Sequence, residues 1–150
     1  MSETYRCGVG ARTARTATWV AATGAAAVAI GVALPWARSG RRSLSGYDLV
    51  GVARRFGLTT GAGARTAATL ILALPLLAAV AVALAALDRR RGSLTVAAAA
   101  GLIGAGTAGW TASVAQGSAG FGVGTTLAAA LCCIGACVAG VAHAYLPWRT

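Results

Sequence analysis

The sequence is poor in charge, and its charge is mostly of one sign. It has no lysine, three acidic residues and one histidine, and charged residues make up 11% of the chain, whereas about a quarter is usual in soluble domains. So few charges cannot cover the surface of a soluble globular protein. The hydrophobic content of 57% excludes a disordered chain, and glycines without a three-residue period exclude a collagen-like fibre. The composition therefore indicates a membrane protein.

Long uncharged stretches are the main positive feature. Residues 92–148 contain no Asp, Glu, Lys or Arg. As one helix they would be roughly 80 Å long, whereas the hydrocarbon core is about 30 Å thick and is crossed by about 20 residues. A glycine-rich segment at 116–122 marks where this stretch turns back. We predict an all-α membrane protein, a single domain over 1–150, with four transmembrane helices at 18–34, 66–87, 94–115 and 124–146.

The first of these spans has an alternative interpretation as the core of a secretory signal peptide. Arg6, Arg12 and Arg15 precede it, as basic residues do in such signals. Cleavage would need small residues just before the cut, but the run ends with Pro35 and the bulky Trp36. Its apolar core is also longer than is usual for a signal, and further spans follow. These features favour a retained first helix.

Arginine distribution predicts the orientation, because basic residues stay on the cytoplasmic side. Seven arginines fall on the side of the two termini and six on the other side. Three arginines in the short loop after the second span, and three more before the first span, favour cytoplasmic termini. The same residues would attract anionic lipids. The predicted inner anionic-lipid collar consists of Arg12, Arg15, Arg89, Arg90 and Arg91.

The extracytoplasmic loop at 35–65 is long enough to suggest a function. Its middle predicts a short amphipathic helix, with Ser43 or Ser45 as the N-cap and Gly57 as the end. Such a helix would lie on the membrane surface and dock a membrane protein or a lipid headgroup. The alternative is a solvated cap over the bundle without a binding function. The candidate contact residues are Trp36, Arg38, Arg41, Arg42, Tyr47, Asp48, Arg54, Arg55 and Phe56.

The same loop carries a resemblance to a known group of proteins. The run LPWARSG at 34–40, followed by SLSGYDLV at 43–50, resembles the first extracytoplasmic loop of small actinobacterial integral membrane proteins. Those proteins are predicted to have four helices and have no assigned activity. The resemblance covers this loop and, more loosely, the four-span layout. It implies a cytoplasmic-membrane location and the orientation given above, and it implies no catalytic residue.

Small residues recur at every fourth position of the third and fourth spans. In lipid, such faces allow helices to approach closely. We therefore predict a tight hairpin of these two spans, although a partner subunit could occupy one of the faces instead. The predicted helix-packing residues are Gly101, Ala105, Gly109, Ala136 and Gly140.

Three cysteines and His143 in the fourth span are the main candidates for chemistry within the spans. Cys132, Cys133 and Cys137 suggest either a thiol oxidoreductase of the vitamin K epoxide reductase type or a soft-metal site. The spacing is C-C-x-x-x-C rather than C-x-x-C, and His143 falls on another helix face than Cys137. Small apolar packing residues are the favoured interpretation. We predict no catalytic residue, no cofactor, no metal and no disulfide.

The positions of the charged residues limit the functions that the protein can have. No carboxylate lies within a span, which argues against ion-coupled transport, and arginines on both sides of the membrane argue against nucleic-acid binding. We predict a non-enzymatic accessory or assembly subunit of a larger membrane complex, which contacts anionic lipids and another membrane protein or a second copy of itself. The alternatives are a small permease or channel subunit acting as a homo-oligomer and, third, a membrane thiol oxidoreductase.

Overall fold

The computed structural model describes residues 3–39, 42–57, 61–114 and 120–145. In this part of the chain there are five helices and two short strands. They are α1 (Glu3–Ala33), β1 (Pro35–Ser39), β2 (Arg42–Ser45), α2 (Gly46–Arg55), α3 (Ala62–Ala86), α4 (Arg90–Val114) and α5 (Phe121–Tyr145). Four helices contain segments that are long and apolar enough to cross a membrane, at Arg12–Ala33, Arg65–Ala86, Arg90–Ser113 and Phe121–Ala142. The predicted fold, an all-α membrane protein with four spans and a short helix in the first loop, is confirmed.

The turn between α3 and α4 is shorter than the sequence suggested. Its backbone N–H groups at Asp88 and Arg89 donate to the carbonyl oxygens of Ala85 and Leu84, at 3.1 and 2.9 Å. This is the Schellman arrangement, which ends a helix within two residues. Asp88 has a positive φ of 54°, as that motif requires. The next helix then begins at Arg90, so this arginine lies in a helical turn rather than in a loop.

The four long helices are arranged around one central pair. α1 and α4 contact each other, and α3 and α5 each pack on both of them. Alanine, glycine and valine fill most of the interior, and Leu74, Val28 and Val32 are the largest fully buried apolar side chains. Small side chains let the helix backbones approach closely, and in lipid this packing replaces the missing hydrophobic drive.

Glycines mark the closest helix crossings of α1. A Cβ added at Gly31 would lie 2.5 Å from Thr126 Oγ1 and 3.0 Å from Thr126 Cα on α5. A Cβ added at Gly104 of α4 would lie 2.5 Å from Val28 Cγ1. The 2.5 Å distances at Gly31 and Gly104 are shorter than real Cβ contacts, so only glycine at these positions allows α1 to pack this closely on α5 and α4. The sequence predicted tight packing between the third and fourth spans but not these crossings.

The polar side chains buried in the described bundle all have hydrogen-bond partners. Thr18 and Thr126 donate to the carbonyl oxygens of Ala14 and Gly122 in their own helices, at 2.9 and 2.7 Å. Ser93 is fully buried and donates from α4 to the carbonyl oxygen of Ala81 on α3, at 2.9 Å. Satisfied polar groups of this kind cost little to bury.

The two ends of the bundle can be assigned from cross-helix contacts. Gly140 of α5 faces both Leu94 at the start of α4 and Ala17 of α1. The start of α1, the α3–α4 turn and the end of α5 therefore share one end of the molecule, here called the turn end. The other end, here called the cap end, carries β1, β2 and α2.

Candidate functional site: the cap and its groove

The cap consists of β1, β2 and α2 together with Phe56 and Gly57, and it joins α1 to α3. β1 and β2 pair in antiparallel fashion, with Ala37 opposite Leu44 and Arg38 opposite Ser43. The sequence did not predict this hairpin. The strands have only five and four residues, and their apolar residues do not alternate clearly enough to mark them as strands.

Local hydrogen bonds define both ends of α2. Ser45 is the N-cap: its Oγ accepts the Asp48 N–H at 3.2 Å, while Asp48 Oδ2 accepts the Ser45 N–H at 3.0 Å and the Ser45 hydroxyl at 2.7 Å. This reciprocal pair is a capping box. Of the two predicted caps, the structure selects Ser45. Gly57, with a φ of +68°, follows the C-cap Phe56 and ends the helix as predicted.

The capping box also sets the charge of Asp48. The hydroxyl of Ser45, and after it the backbone N–H of Ser45, hold the pKa of the Asp48 carboxyl below its usual range. The ionised carboxylate also suits the positive end of the helix dipole. Asp48 was predicted to contact a partner or a lipid. Its carboxylate is exposed but engaged in capping, so its structural role is to fix the start of α2.

Trp36 lies at the junction of the cap with the bundle. The side chain is 2% exposed, its Nε1–H donates to the Gly31 carbonyl oxygen at 3.0 Å, and its own carbonyl oxygen accepts the Gly120 N–H at 2.7 Å. A Cβ added at Gly122 would lie 2.6 Å from Trp36 Cδ1. The sequence predicted Trp36 as a partner or lipid contact. The structure buries its ring, for which Gly122 at the start of α5 leaves room, and places the residue in the lining of the groove described below.

Tyr47 attaches α2 to α1. It is half-buried, and its hydroxyl donates to the carbonyl oxygen of Ala29 at 3.4 Å. Burial raises the pKa of the Tyr47 phenol. An ordinary phenol is already protonated at neutral pH, so the hydroxyl is available to donate. Tyr47 therefore connects α2 to α1 through a hydrogen bond, and its role as a partner or lipid contact stays a prediction.

The end of α2 retains the exposed side chains that the sequence predicted as contacts. Arg54 and Arg55 are exposed, and Phe56 is 72% exposed. Cations in the last turn of a helix suit its dipole. Arg38 and Arg42 contribute backbone to β1 and β2, whereas their side chains, like the whole of Arg41, lie outside the described residues.

An apolar groove of about 810 Å³ lies beneath the cap, between α2, α3 and α4. This volume is typical of a ligand pocket, about 300–1,000 Å³. The hydroxyls of Thr107 and Thr111 donate to the carbonyl oxygens of Ile103 and Thr107 in their own helix, each at 2.8 Å. The lining residues are Trp36, Gly46, Leu49, Val50, Ala53, Ala67, Ala68, Leu70, Ile71, Leu102, Ile103, Gly106, Thr107, Trp110 and Thr111.

The chemistry of the groove is that of an apolar receptor. None of the described lining residues carries an acid, a base or a thiol, so the lining offers contact area rather than proton transfer. The sequence missed the groove because it depends on how three separate helices pack. The sequence predicted an amphipathic α2, with Tyr47, Val50 and Ala53 recurring at every third position, but it did not show which helices this side of α2 would face.

The cysteines of α5 lie inside and outside the bundle. Cys133 is fully buried, with Sγ 3.2 Å from the Ala97 carbonyl oxygen and 3.3 Å from the Ala21 carbonyl oxygen. Cys137 is also buried, with Sγ 3.4 Å from the carbonyl oxygen of Leu94, whereas Cys132 is exposed. Over the described residues, no group of three His, Cys, Asp or Glu side chains is arranged to hold a metal ion. The side chain of His143 lies outside the described residues.

Most of the predicted helix-packing positions lie at helix contacts. A Cβ added at Gly101 would lie 3.1 Å from Ile134 Cγ1, and one at Gly140 would lie 3.2 Å from Leu94 Cδ1, while Ala105 and Ala136 are half-buried. Gly109 is exposed, and nothing lies within 4 Å of a Cβ built there. Gly109 therefore does not pack within the described bundle, because a four-residue step exceeds the 3.6-residue helical turn and the row drifts off the buried face. Packing of Gly109 against a partner subunit stays a prediction.

The predicted collar arginines gather at the turn end. Arg12, Arg15, Arg89 and Arg91 are exposed. Arg90 is partly exposed and its Nε donates to Asp88 Oδ1 at 3.2 Å. This arrangement presents positive charge at one end of the bundle, where an anionic membrane surface would attract it.

Comparisons of the chain with family models, with curated proteins and with solved structures gave no match. The function is therefore argued from the cap and the bundle themselves.

Proposed function

We propose that this chain is a non-enzymatic accessory or assembly subunit of a larger membrane complex, and that its cap binds a membrane protein with an acidic and apolar extracytoplasmic surface. One observation carries the proposal: α2 presents Val52, Arg55 and Phe56 outward from a helix that is fixed at both ends. An exposed aromatic ring beside an arginine is typical of the residues that dominate binding energy at protein interfaces.

The rigidity of the cap supports this proposal. The capping box of Ser45 and Asp48 fixes the start of α2, and the Tyr47 hydroxyl attaches the helix to α1. A surface that is already ordered loses little conformational entropy when a partner binds, so more of the contact energy appears as affinity.

Charge supports an acidic partner surface. Residues 35–65 contain six arginines and one acid, and that acid, Asp48, is engaged with Ser45. Complementary charge accelerates encounter and selects among partners more than it adds raw affinity. An acidic patch near the membrane surface of the partner is therefore the matching chemistry.

We further propose that the protein lies in the cell membrane with its turn end and both termini on the cytoplasmic side. Arginines in short loops or close to the ends of membrane spans tend to stay on the cytoplasmic side. The turn end carries Arg12, Arg15 and Arg89–Arg91. The test is labelling with a membrane-impermeant maleimide, in a variant without the four natural cysteines. Arg55→Cys should react in intact cells and Arg91→Cys only after permeabilisation, and the reverse result would overturn the orientation.

Site-specific photocrosslinking in the native membrane tests the accessory function. A photoreactive phenylalanine derivative at Val52 or Phe56 should capture one protein reproducibly, with acidic residues at the crosslinked segment. The same group at Leu76, which is exposed on α3 away from the cap, is the control and should capture no such protein. The additional change Arg55→Glu should remove the crosslink while leaving the thermal midpoint unchanged.

Two results would overturn the proposal. Identical products at Val52, Phe56 and Leu76 would indicate random membrane neighbours. Crosslinks only between copies of this chain would favour the alternative, a permease or channel subunit acting as a homo-oligomer, which then predicts solute flux in proteoliposomes.

A further inference from the structure

We infer that the groove beneath the cap binds an acyl chain of an anionic phospholipid from the leaflet on the cap side, with the lipid phosphate beside the arginines at its mouth. This inference does not depend on the accessory function. That function concerns the exposed residues Val52, Arg55 and Phe56, whereas Leu49, Val50 and Ala53 of the same helix line the groove.

The depth of the groove matches one leaflet. Along α4 its lining runs from Thr111 to Leu102, nine positions that span about 13.5 Å at about 1.5 Å per residue. Half of the hydrocarbon core is about 15 Å thick. On α3 the lining ends at Ile71, which is also well before the middle of that helix. The groove therefore receives something that enters from one membrane surface and stops near the midplane.

The lining chemistry selects an aliphatic chain. Among the described lining residues, the only hydroxyls are those of Thr107 and Thr111, and they already donate to carbonyl oxygens of α4. A polar ligand would lose its hydrogen bonds to water without replacement there, which costs several kcal/mol per group. Hydrocarbon in the same place loses nothing and gains close packing.

The mouth of the groove is basic and carries an exposed indole. Arg54 lies four positions after the lining residue Val50, and Arg65 lies three positions before the lining residue Ala68, so each arginine is a surface neighbour of a lining residue on its own helix. Both arginines are exposed. Trp110 lines the mouth and is 73% exposed, as is usual for a ring at the headgroup level. Guanidinium groups form strong charge-assisted hydrogen bonds with phosphate.

A transmembrane helix of a partner fits this groove less well. Such a helix needs about 30 Å of contact length to cross the hydrocarbon core, whereas the groove has less than half of that. α2 lines the cap-side end of the groove with four residues, so a straight helix would meet the cap as it leaves the membrane. A lipid acyl chain ends near the midplane and the lipid can bend at its headgroup. It is therefore short enough for the groove and is not obstructed by the cap.

Native mass spectrometry of the full chain, released from nanodiscs of equal parts phosphatidylglycerol and phosphatidylcholine, tests the inference. Gly106→Leu is the key variant, because Gly106 lines the groove and nothing lies within 4 Å of a Cβ built there. Gly109→Leu is the matched control on the same helix, since Gly109 has equally open surroundings but does not line the groove. Thermal unfolding in detergent should show both variants folded.

The expected result is one phosphatidylglycerol retained per wild-type chain after the other lipids are removed. Gly106→Leu should reduce this retention by at least about tenfold, as expected for overfilling a packed site, and Gly109→Leu should leave it unchanged. Arg54→Ala should reduce the preference for phosphatidylglycerol over phosphatidylcholine by about fivefold while one lipid remains bound.

Four outcomes would overturn the inference. Equal retention in the wild type and Gly106→Leu would place the lipid elsewhere, and equal losses in both leucine variants would indicate ordinary boundary lipid. Retention of a free fatty acid, or of phosphatidylcholine in preference to phosphatidylglycerol, would refute the anionic phospholipid.

Discussion

The Nε1–H group of Trp36 donates to the carbonyl oxygen of Gly31 at 3.0 Å, and this bond fixes a large ring inside the end of the bundle. The same oxygen also accepts the backbone N–H of Leu34 at 3.2 Å. The last turn of α1, the first strand and the start of α5 are therefore joined around a single side chain.

Trp36→Phe should lower the free energy of unfolding by about 1–3 kcal/mol, because it removes a buried hydrogen bond and leaves space beside α5. Unfolding in a mild detergent titrated with dodecyl sulfate, followed by circular dichroism, measures the change. Trp110→Phe is the control: that ring is 73% exposed, so the change in unfolding free energy should be close to zero. Equal effects at the two positions would contradict the junction described for Trp36.

Gly31→Ala should also destabilise the fold, by about 1–3 kcal/mol, because the added Cβ overlaps backbone and side-chain atoms of Thr126 and pushes α1 away from α5. Gly109→Ala is the matched helical control. Its Cβ meets nothing within 4 Å, so alanine should be neutral or stabilise by up to about 1 kcal/mol through helix propensity. The same unfolding assay applies, and a neutral Gly31→Ala would show that the α1–α5 crossing is looser than described.

Asp88→Gly should stabilise the protein by about 0.5–1 kcal/mol, because glycine adopts the positive φ of this turn without strain. The variant also loses the exposed ion pair with Arg90, so Arg90→Ala serves as the control and should change little. Asp88→Val should have the opposite effect, since a β-branched residue tolerates positive φ poorly. Thermal midpoints of the three variants provide the comparison, and a fall in the midpoint of Asp88→Gly would contradict the Schellman turn.

The capping box predicts a pH dependence for the cap. Because the folded pKa of Asp48 lies below its ordinary value, the carboxylate stabilises the folded cap above that ordinary value and loses this contribution as the pH falls through the folded pKa. Carbon-13 NMR of the aspartate carboxyl should show the lowered pKa, and Ser45→Ala should raise it towards the ordinary value. An unchanged titration in Ser45→Ala would refute the assignment.

Sequence reasoning located the elements whose signals are local. The four spans follow from apolar length, and the ends of α2 follow from Ser45 and Gly57, because a cap and a left-handed glycine act within one helical turn. Span limits were less accurate: α1 begins at Glu3, far before its apolar part, because arginine and alanine continue a helix without lipid around them.

The features that sequence reasoning missed depend on distant residues. Trp36 is buried because Gly46, Gly120 and Gly122 come close to it from two other elements, and nothing near Trp36 in the sequence indicates this. The groove arises likewise from α2, α3 and α4 together. The close contacts of Gly31 with Thr126 and of Gly104 with Val28 could not be predicted, because each pair joins two helices that are distant in the sequence.

The contact of Trp36 with the start of α5 also bears on the order of synthesis. A ribosome completes the cap long before it completes α5, since synthesis runs from the N-terminal end. Until Gly120 and Gly122 are in place, the indole lacks one wall of its site, and its backbone carbonyl lacks the N–H that it accepts in the finished fold. The start of α5, which is synthesised after the cap, therefore completes the site of Trp36, and the cap reaches its final form only after α5 has been inserted.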